Sequence, residues 1–155
     1  QMKQDILVPY DGSANATEAL RVAIDMAKLF NEKIVLLNVQ PSYETPHTKQ
    51  FFSQNQIDDY RAQMADEALQ PGKEILKQSG VRFMIKTLVG DAREQICKEA
   101  RGNSAEGAAC KDLGMRSIVM GSRGLNAFLG GVLGSVSTGV LHNAPCPVTI
   151  VPYSC

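Results

Sequence analysis

The chain has no tryptophan, only two histidines and no excess of charge: its 155 residues carry 16 basic and 16 acidic side chains. So balanced a chain offers no broad electrostatic surface for DNA, RNA or an anionic membrane, and neither kind of partner is expected. Its four cysteines, Cys97, Cys110, Cys146 and Cys155, form no CxxC pair, and His47 and His142 are the only imidazoles that could join them. That argues against a zinc site and against a disulfide framework in a domain of this size. Cys146, between two prolines in APCPV, reads as a small buried apolar residue rather than a reactive thiol. Long apolar runs are missing too. KIVLLNV at 33–39 is strand-sized, far short of a membrane span. The opening QMKQDILVPYDGS lacks the charged-then-apolar layout of a signal peptide, so the cytoplasm is the expected location. Gln1 ahead of Met2 reads as extraneous, which leaves one expected domain over 2–155.

What the chain has is alternation. DILVP (5–9) is a continuous apolar run flanked by turn residues, as a strand buried on both faces should be. Ala14 to Phe30 then places apolar residues at helical spacing, with Ser13 or Asn15 able to cap it and Asn15 with Glu18 at box-like spacing. KIVLLNV (33–39) is a second strand. Residues 40–57, with Pro41, Pro46 and many polar side chains, read as a long loop, and 58–79 as a helix stopped by Gly80. RFMIKTLV (82–89) suits a less buried strand at the side of a sheet, and 90–100 a short helix capped by Asp91. RSIVM (116–120) and CPVTIVP (146–152) complete five strands. Helices between consecutive buried strands require parallel pairing with right-handed crossovers. The fold class is therefore α/β: an open twisted five-stranded parallel sheet, helices on both faces, in the expected order 3-2-1-4-5. Ligands in such sheets sit beyond the carboxyl ends of strands where the order reverses. There PYDGS, after strand one, would face MGSRG, after strand four.

MGSRGLNAFLGGVLGSVSTGVL (120–141) places six of the chain's thirteen glycines in nineteen positions, with Arg123 its one charged side chain. Gly121 and Gly124 let backbone approach a ligand closely, and 125–133 read as an apolar flap. Gly134 and Ser135 open a helix whose unpaired N–H groups and dipole favour phosphate, with Ser135 and Ser137 hydroxyls and Arg123 able to add to it. Two other readings stay open: glycine-rich turns can be loop punctuation, and Ser135 can simply cap the helix. No GxxxxGK[ST] is present, and no GxGxxG follows strand one.

The spacing Gly121-x2-Gly124-x9-Gly134-Ser135 resembles the nucleotide-binding signature of the universal stress protein family. The likeness extends through ILVPYDGS, the GD at 90–91, SIVMGSRG and NAPCPVTIVP. The resemblance implies a Rossmann-like fold of the adenine nucleotide alpha hydrolase type, binding ATP or another adenosine nucleotide with Mg or Mn. It also implies a homodimer, expected through the edge strand 146–152, acting in stress adaptation by regulation. Carried over by position, Pro9 and Asp11 make the first contact, Val39 reads the base through its backbone, and Met120 and Gly121 approach the ribose. Arg123, Gly124, Gly134, Ser135, Val136 and Ser137 then surround the phosphates. For Asp11, three roles stay open: bonding the nucleoside, supporting a metal from a distance, or capping the first helix turn. The segment 101–116 is longer than the family pattern. His47 is expected in solvent or as a lid contact, and His142 near helix carbonyls. Two alternatives to a binding regulator are a slow Mg-dependent ATPase and a structural dimer that never loads nucleotide. Hydrolysis needs groups aimed at the γ-phosphate, and near the loop only Arg123 and Asp11 are charged.

Overall fold

The computed structural model describes residues 5–102, 115–123 and 133–153. In chain order they form β1 (Asp5–Pro9), α1 (Ala14–Phe30), β2 (Lys33–Gln40), α2 (Pro46–Phe51), α3 (Gln54–Ser79), β3 (Phe83–Val89), α4 (Ala92–Arg101), β4 (Ser117–Gly121), α5 (Ser135–Asn143) and β5 (Val148–Val151). The strands make one five-stranded sheet in the order β3-β2-β1-β4-β5, every pair parallel. Both the class and the order are those expected from the buried apolar runs.

Period-two alternation sends neighbouring residues of each central strand to opposite faces. Ile6, Val8, Ile34, Leu36 and Val119 pack against Leu20 and Ala23 of α1 and Leu69 and Leu76 of α3. Leu7, Val35, Leu37, Ile118 and Met120 pack on the other side, against Ile96 and Ala100 of α4 and Val140 of α5. Helices thus cover both faces. Burial pushes the Cys97 thiol up on this second face, away from thiolate reactivity. β3 closes one side with half-buried and exposed residues in near alternation, as an edge strand should.

Where the structure departs from the sequence reading, local chemistry explains it. Residues 46–51 are helical rather than loop: Pro46 sits in the first turn, where its missing N–H costs nothing, and Thr45 and Thr48 close a capping box. α3 begins at Gln54, not 58, because Ser53 and Gln56 form a second box. Pro71 lies inside that helix without ending it. Gly72 beside it is buried, and a Cβ there would come within 2.9 Å of Leu36 and 3.0 Å of Tyr10. β5 covers Val148–Val151 rather than 146–152, and Cys146 ahead of it is half-buried. Asp91 caps α4 by accepting from the Glu94 N–H at 3.2 Å, and the Arg93 guanidinium beside it holds its carboxyl below the usual range. Gly80, with φ 76°, ends α3 in the left-handed conformation. Gly124, the flap expected over 125–133 save Leu133, most of the 101–116 segment, Cys110 and Cys155 lie outside the described residues.

The choice between Ser13 and Asn15 falls to Ser13. Its hydroxyl accepts from the Ala16 N–H at 3.1 Å, and Asn15 is turned to another task. Replacing Ser13 with Ala is expected to lower the unfolding free energy by about 1 kcal/mol. Urea denaturation checks this: the midpoint should fall with the slope unchanged, and an unshifted midpoint would contradict the assignment.

Candidate functional site

β1 pairs with β2 as far as Pro9↔Leu37 but with β4 only through Ile6 and Leu7, so its neighbours run on beyond it. The gap left at the carboxyl ends is a cavity of about 380 Å³. Pro9, Asp11, Val39, Met120, Gly121, Arg123, Gly134, Ser135, Val136 and Ser137 all line it, so every site residue expected from sequence within the described part of the chain comes together. Gly124 falls outside that part. Six further lining residues, Tyr10, Ala16, Leu37, Asn38, Ala92 and Ile96, were not anticipated. One signal for Asn38 was readable: a polar residue near the end of an otherwise apolar strand.

One wall of the cavity is set by strand geometry. The Tyr10 N–H donates to the Leu37 carbonyl at 2.7 Å, so Leu37 directs its backbone groups toward β1. The Gly90 N–H donates to the Gln40 carbonyl at 3.0 Å, so Gln40 directs its groups toward β3. By alternation Val39 turns its N–H and C=O the same way as Leu37, toward β1, where the ladder has already stopped. A donor and an acceptor side by side thus face the cavity between apolar Ile96 and Met120.

The start of α5 lines the same cavity. Gly134 is its N-cap, and no side chain caps it, so Ser135 occupies the first helical position rather than the cap. The Gly134 carbonyl receives the Thr138 N–H at 3.0 Å as the first helical bond. The N–H groups of Ser135, Val136 and Ser137, three residues that line the cavity, therefore have no acceptor within the helix. The Ser137 hydroxyl is turned away from this face, donating at 2.9 Å to the buried Gly121 carbonyl.

Asn15 holds these pieces together. Its Oδ1 accepts from the Arg123 N–H at 2.9 Å and the Ser122 hydroxyl at 3.3 Å, and its Nδ2 donates to the Val151 carbonyl at 3.0 Å. The Ser122 carbonyl in turn receives the Gly134 N–H at 2.7 Å, which clamps the two ends of the glycine loop together. Gly121 is required by the same contact: a Cβ there would lie 2.7 Å from the Asn15 amide. A Cβ on Gly134 would meet the Ser122 carbonyl oxygen at 3.3 Å.

The charge at the site is sparse. Among the described lining residues only Asp11 and Arg123 are ionic. Asp11 Oδ1 accepts from the Ser13 N–H at 2.9 Å, bracing the residue that caps α1. The Arg123 guanidinium lies 5.0 Å over the Tyr153 ring. No group of three His, Cys, Asp or Glu side chains among the described residues could hold a metal ion by itself. His47 is exposed and meets the Phe51 ring edge-on, and His142 is exposed in the last turn of α5.

These features define a doubly wound α/β domain with a ligand-sized crevice at its switch point. The chain belongs to the universal stress protein family, whose profile matches residues 2–152. Universal stress protein MJ0531 of Methanocaldococcus jannaschii is 30% identical over 149 residues, covering 94% of this chain and 80% of the relative. Universal stress protein Sll1654 of Synechocystis is 29% identical over 151 residues, covering 97% and 87%. The structure solved as hypothetical protein MJ0577 superposes with a TM-score of 0.79 at 26% identity, over 100% of this chain and 99% of that one. A universal stress protein from Archaeoglobus fulgidus in complex with dAMP superposes at 0.65 with 20% identity, over 97% and 99%. One in complex with cAMP superposes at 0.63 with 21% identity, over 99% and 100%. At those identities the likeness is one of fold. No helix among the described residues is long and apolar enough to cross a membrane.

If Asn15 is the clamp, Asn15→Ala should destabilise the protein by about 2 kcal/mol, because it strands buried donors and an acceptor. Thermal unfolding reads the loss, and a midpoint equal to wild type would show that the loops hold without it.

Proposed function

We propose that the cavity binds an adenine nucleotide, ATP in the first place, and that the protein is a nucleotide-loaded regulator of the stress response. One observation carries the reading: the uncapped start of α5 and the unpaired backbone edge of Val39 line the same cavity. Val39 can donate to and accept from an adenine edge, as a second strand would. Pro9, Met120 and Gly121 suit the sugar region. The N–H groups of Ser135, Val136 and Ser137, with the helix dipole, suit phosphate oxygens. The cavity volume of about 380 Å³ is within the range of small-molecule sites. That two relatives of the same fold were solved with dAMP and cAMP agrees with this reading.

The metal follows from the donor set. With Asp11 the one lining carboxylate among the described residues, already engaged by the Ser13 N–H, Mg or Mn fits this site as a chelate carried on the polyphosphate. Asp11 would then act through a bound water. Such a metal offsets the charge that a single arginine leaves unbalanced. Backbone donors stabilise bound triphosphate in ground and transition states alike, which tightens binding without lowering the chemical barrier. Binding therefore leads over turnover. A cytoplasmic place agrees with this role.

Gly134→Val tests the phosphate end. The branched side chain would press on the Ser122 carbonyl and displace the helix start, so affinity for Mg-ATP should fall by about a hundredfold or more, the worth of two charge-assisted hydrogen bonds. Titration calorimetry measures this, with circular dichroism to show the fold intact. Unchanged affinity in a folded variant would overturn the site.

We also propose a homodimer formed through β5. This strand ends the sheet, and Leu133, Leu141 and Tyr153 are exposed. An unpaired apolar edge is a liability that a symmetric copy of the same strand covers. Light scattering at micromolar concentration should give twice the mass of the chain, and a monomer mass would refute the proposal.

A further inference from the structure

The nucleotide reading leaves a second cavity of about 380 Å³ unused, between α2, α3 and the chain that precedes them. Tyr43, Phe52, Ile57 and Tyr60 supply its apolar wall. The rings of Tyr43 and Tyr60 meet edge to face, with centroids 5.2 Å apart. Thr48 and Gln56 complete the lining, and the Thr48 hydroxyl and the Gln56 amide oxygen are engaged. The Thr48 hydroxyl donates to the Tyr43 carbonyl at 2.7 Å, and Gln56 Oε1 accepts from the Ser53 N–H at 2.8 Å. No charged side chain lines the space among the described residues. Arg61, next along from Tyr60, is committed to Asp58 and to the Ser42 carbonyl.

Tyr43 is unusual. Its φ is 60°, a left-handed conformation that a bulky aromatic rarely takes unless its surroundings enforce it. A polar chain leads from its hydroxyl out of this cavity. The Tyr43 hydroxyl donates to Gln40 Oε1 at 2.9 Å, Gln40 Nε2 donates to Asn38 Oδ1 at 2.7 Å, and Asn38 Nδ2 donates to the Tyr10 carbonyl at 2.9 Å. Asn38 and Gln40 are 3% and 7% exposed, so the two bonds that Asn38 makes are shielded from competing water, and the Tyr43–Gln40 bond is part-buried. Asn38 and Tyr10 line the nucleotide cavity. An unbroken line of side-chain hydrogen bonds thus joins the wall of one cavity to the wall of the other.

We propose that the Tyr43–Tyr60 cavity is a second binding site, for a neutral planar aromatic small molecule of two or three fused rings, coupled to the nucleotide cavity through Tyr43, Gln40 and Asn38. The volume suits such a ligand. Ring faces and edges offer stacked and edge-to-face contacts. The absence of a charged wall turns away ionised ligands, whose desolvation nothing would offset. Seating a ring against Tyr43 moves its hydroxyl, and any movement of that hydroxyl is felt at the Tyr10 carbonyl. The coupling rests on the nucleotide reading; the site itself does not.

The test uses the full chain and 2-naphthol as probe, by titration calorimetry with and without saturating Mg-ATP. Wild type should bind 2-naphthol saturably at one site, and Tyr60→Ala should weaken it about tenfold by removing one ring contact. Saturating Mg-ATP should shift the wild-type affinity about fivefold, and Tyr43→Phe, which keeps the ring and breaks the chain, should lose that shift. No saturable binding, or equal binding in Tyr60→Ala, overturns the site. A mass that grows with concentration and falls with Tyr60→Ala, without probe binding, assigns the patch to a second copy of this chain and also overturns it. An ATP shift that is absent in wild type or persists in Tyr43→Phe overturns the coupling. Failure of Mg-ATP to bind at all overturns the nucleotide reading and the coupling with it, while the Tyr60→Ala comparison still decides the site.

Discussion

One buried amide organises the candidate site. Asn15 sits in the first turn of α1 and makes three bonds to two separate pieces of chain: the Ser122 hydroxyl and Arg123 N–H after β4, and the Val151 carbonyl of β5. A side chain amide with a donor and an acceptor can do this where a carboxylate or an apolar residue cannot, since both kinds of partner must be met at once. Because β1 feeds α1 directly, Asn15 registers the loop after β4 against the loop after β1. These are the two lips of the crevice. The bond from the Gly134 N–H to the Ser122 carbonyl then carries the register on to the start of α5. The glycines at 121 and 134 answer first to this packing, one giving room to the Asn15 amide and the other to the Ser122 carbonyl.

What the crevice offers a ligand is almost entirely backbone. Val39 presents an unpaired strand edge because β1 ends early, and α5 presents unpaired N–H groups because its cap residue is glycine. Dipoles fixed in this way need no reorganisation when a ligand arrives, and they carry no proton to give or take. Such a site suits the proposed holding of a nucleotide more than cleaving one. The polar chain from Asn38 to Tyr43 adds a route by which a second, aromatic-lined cavity could feel or set that occupancy.

The sheet was legible because its strands are nearly pure apolar runs. ILV, IVLL and SIVM leave no face for solvent, and the helices between them dictate parallel pairing. The glycine spacing located the cavity wall, since its described members line one space. By sequence Asn15 stands beside Ser13 as an alternative cap, because of its place in the first turn, and only tertiary structure reveals partners more than a hundred residues away. Pro46 reads as a loop marker, although proline in a first helical turn with threonine ahead of it also starts helices. Asn38 and Gln40 carried a signal, two polar residues at alternate positions closing an apolar strand. Their meaning depended on Tyr43 adopting a conformation no sequence pattern announces.

The account stands or falls on where the phosphates lie. The most direct measurement is the response of assigned backbone amide resonances to Mg-ATP and, separately, to adenosine. Both ligands should move the amide of Val39, and Mg-ATP alone should move those of Ser135, Val136 and Ser137. If Mg-ATP leaves the three α5 amides in place, or adenosine moves them equally, the helix start is not the phosphate site and the central claim fails.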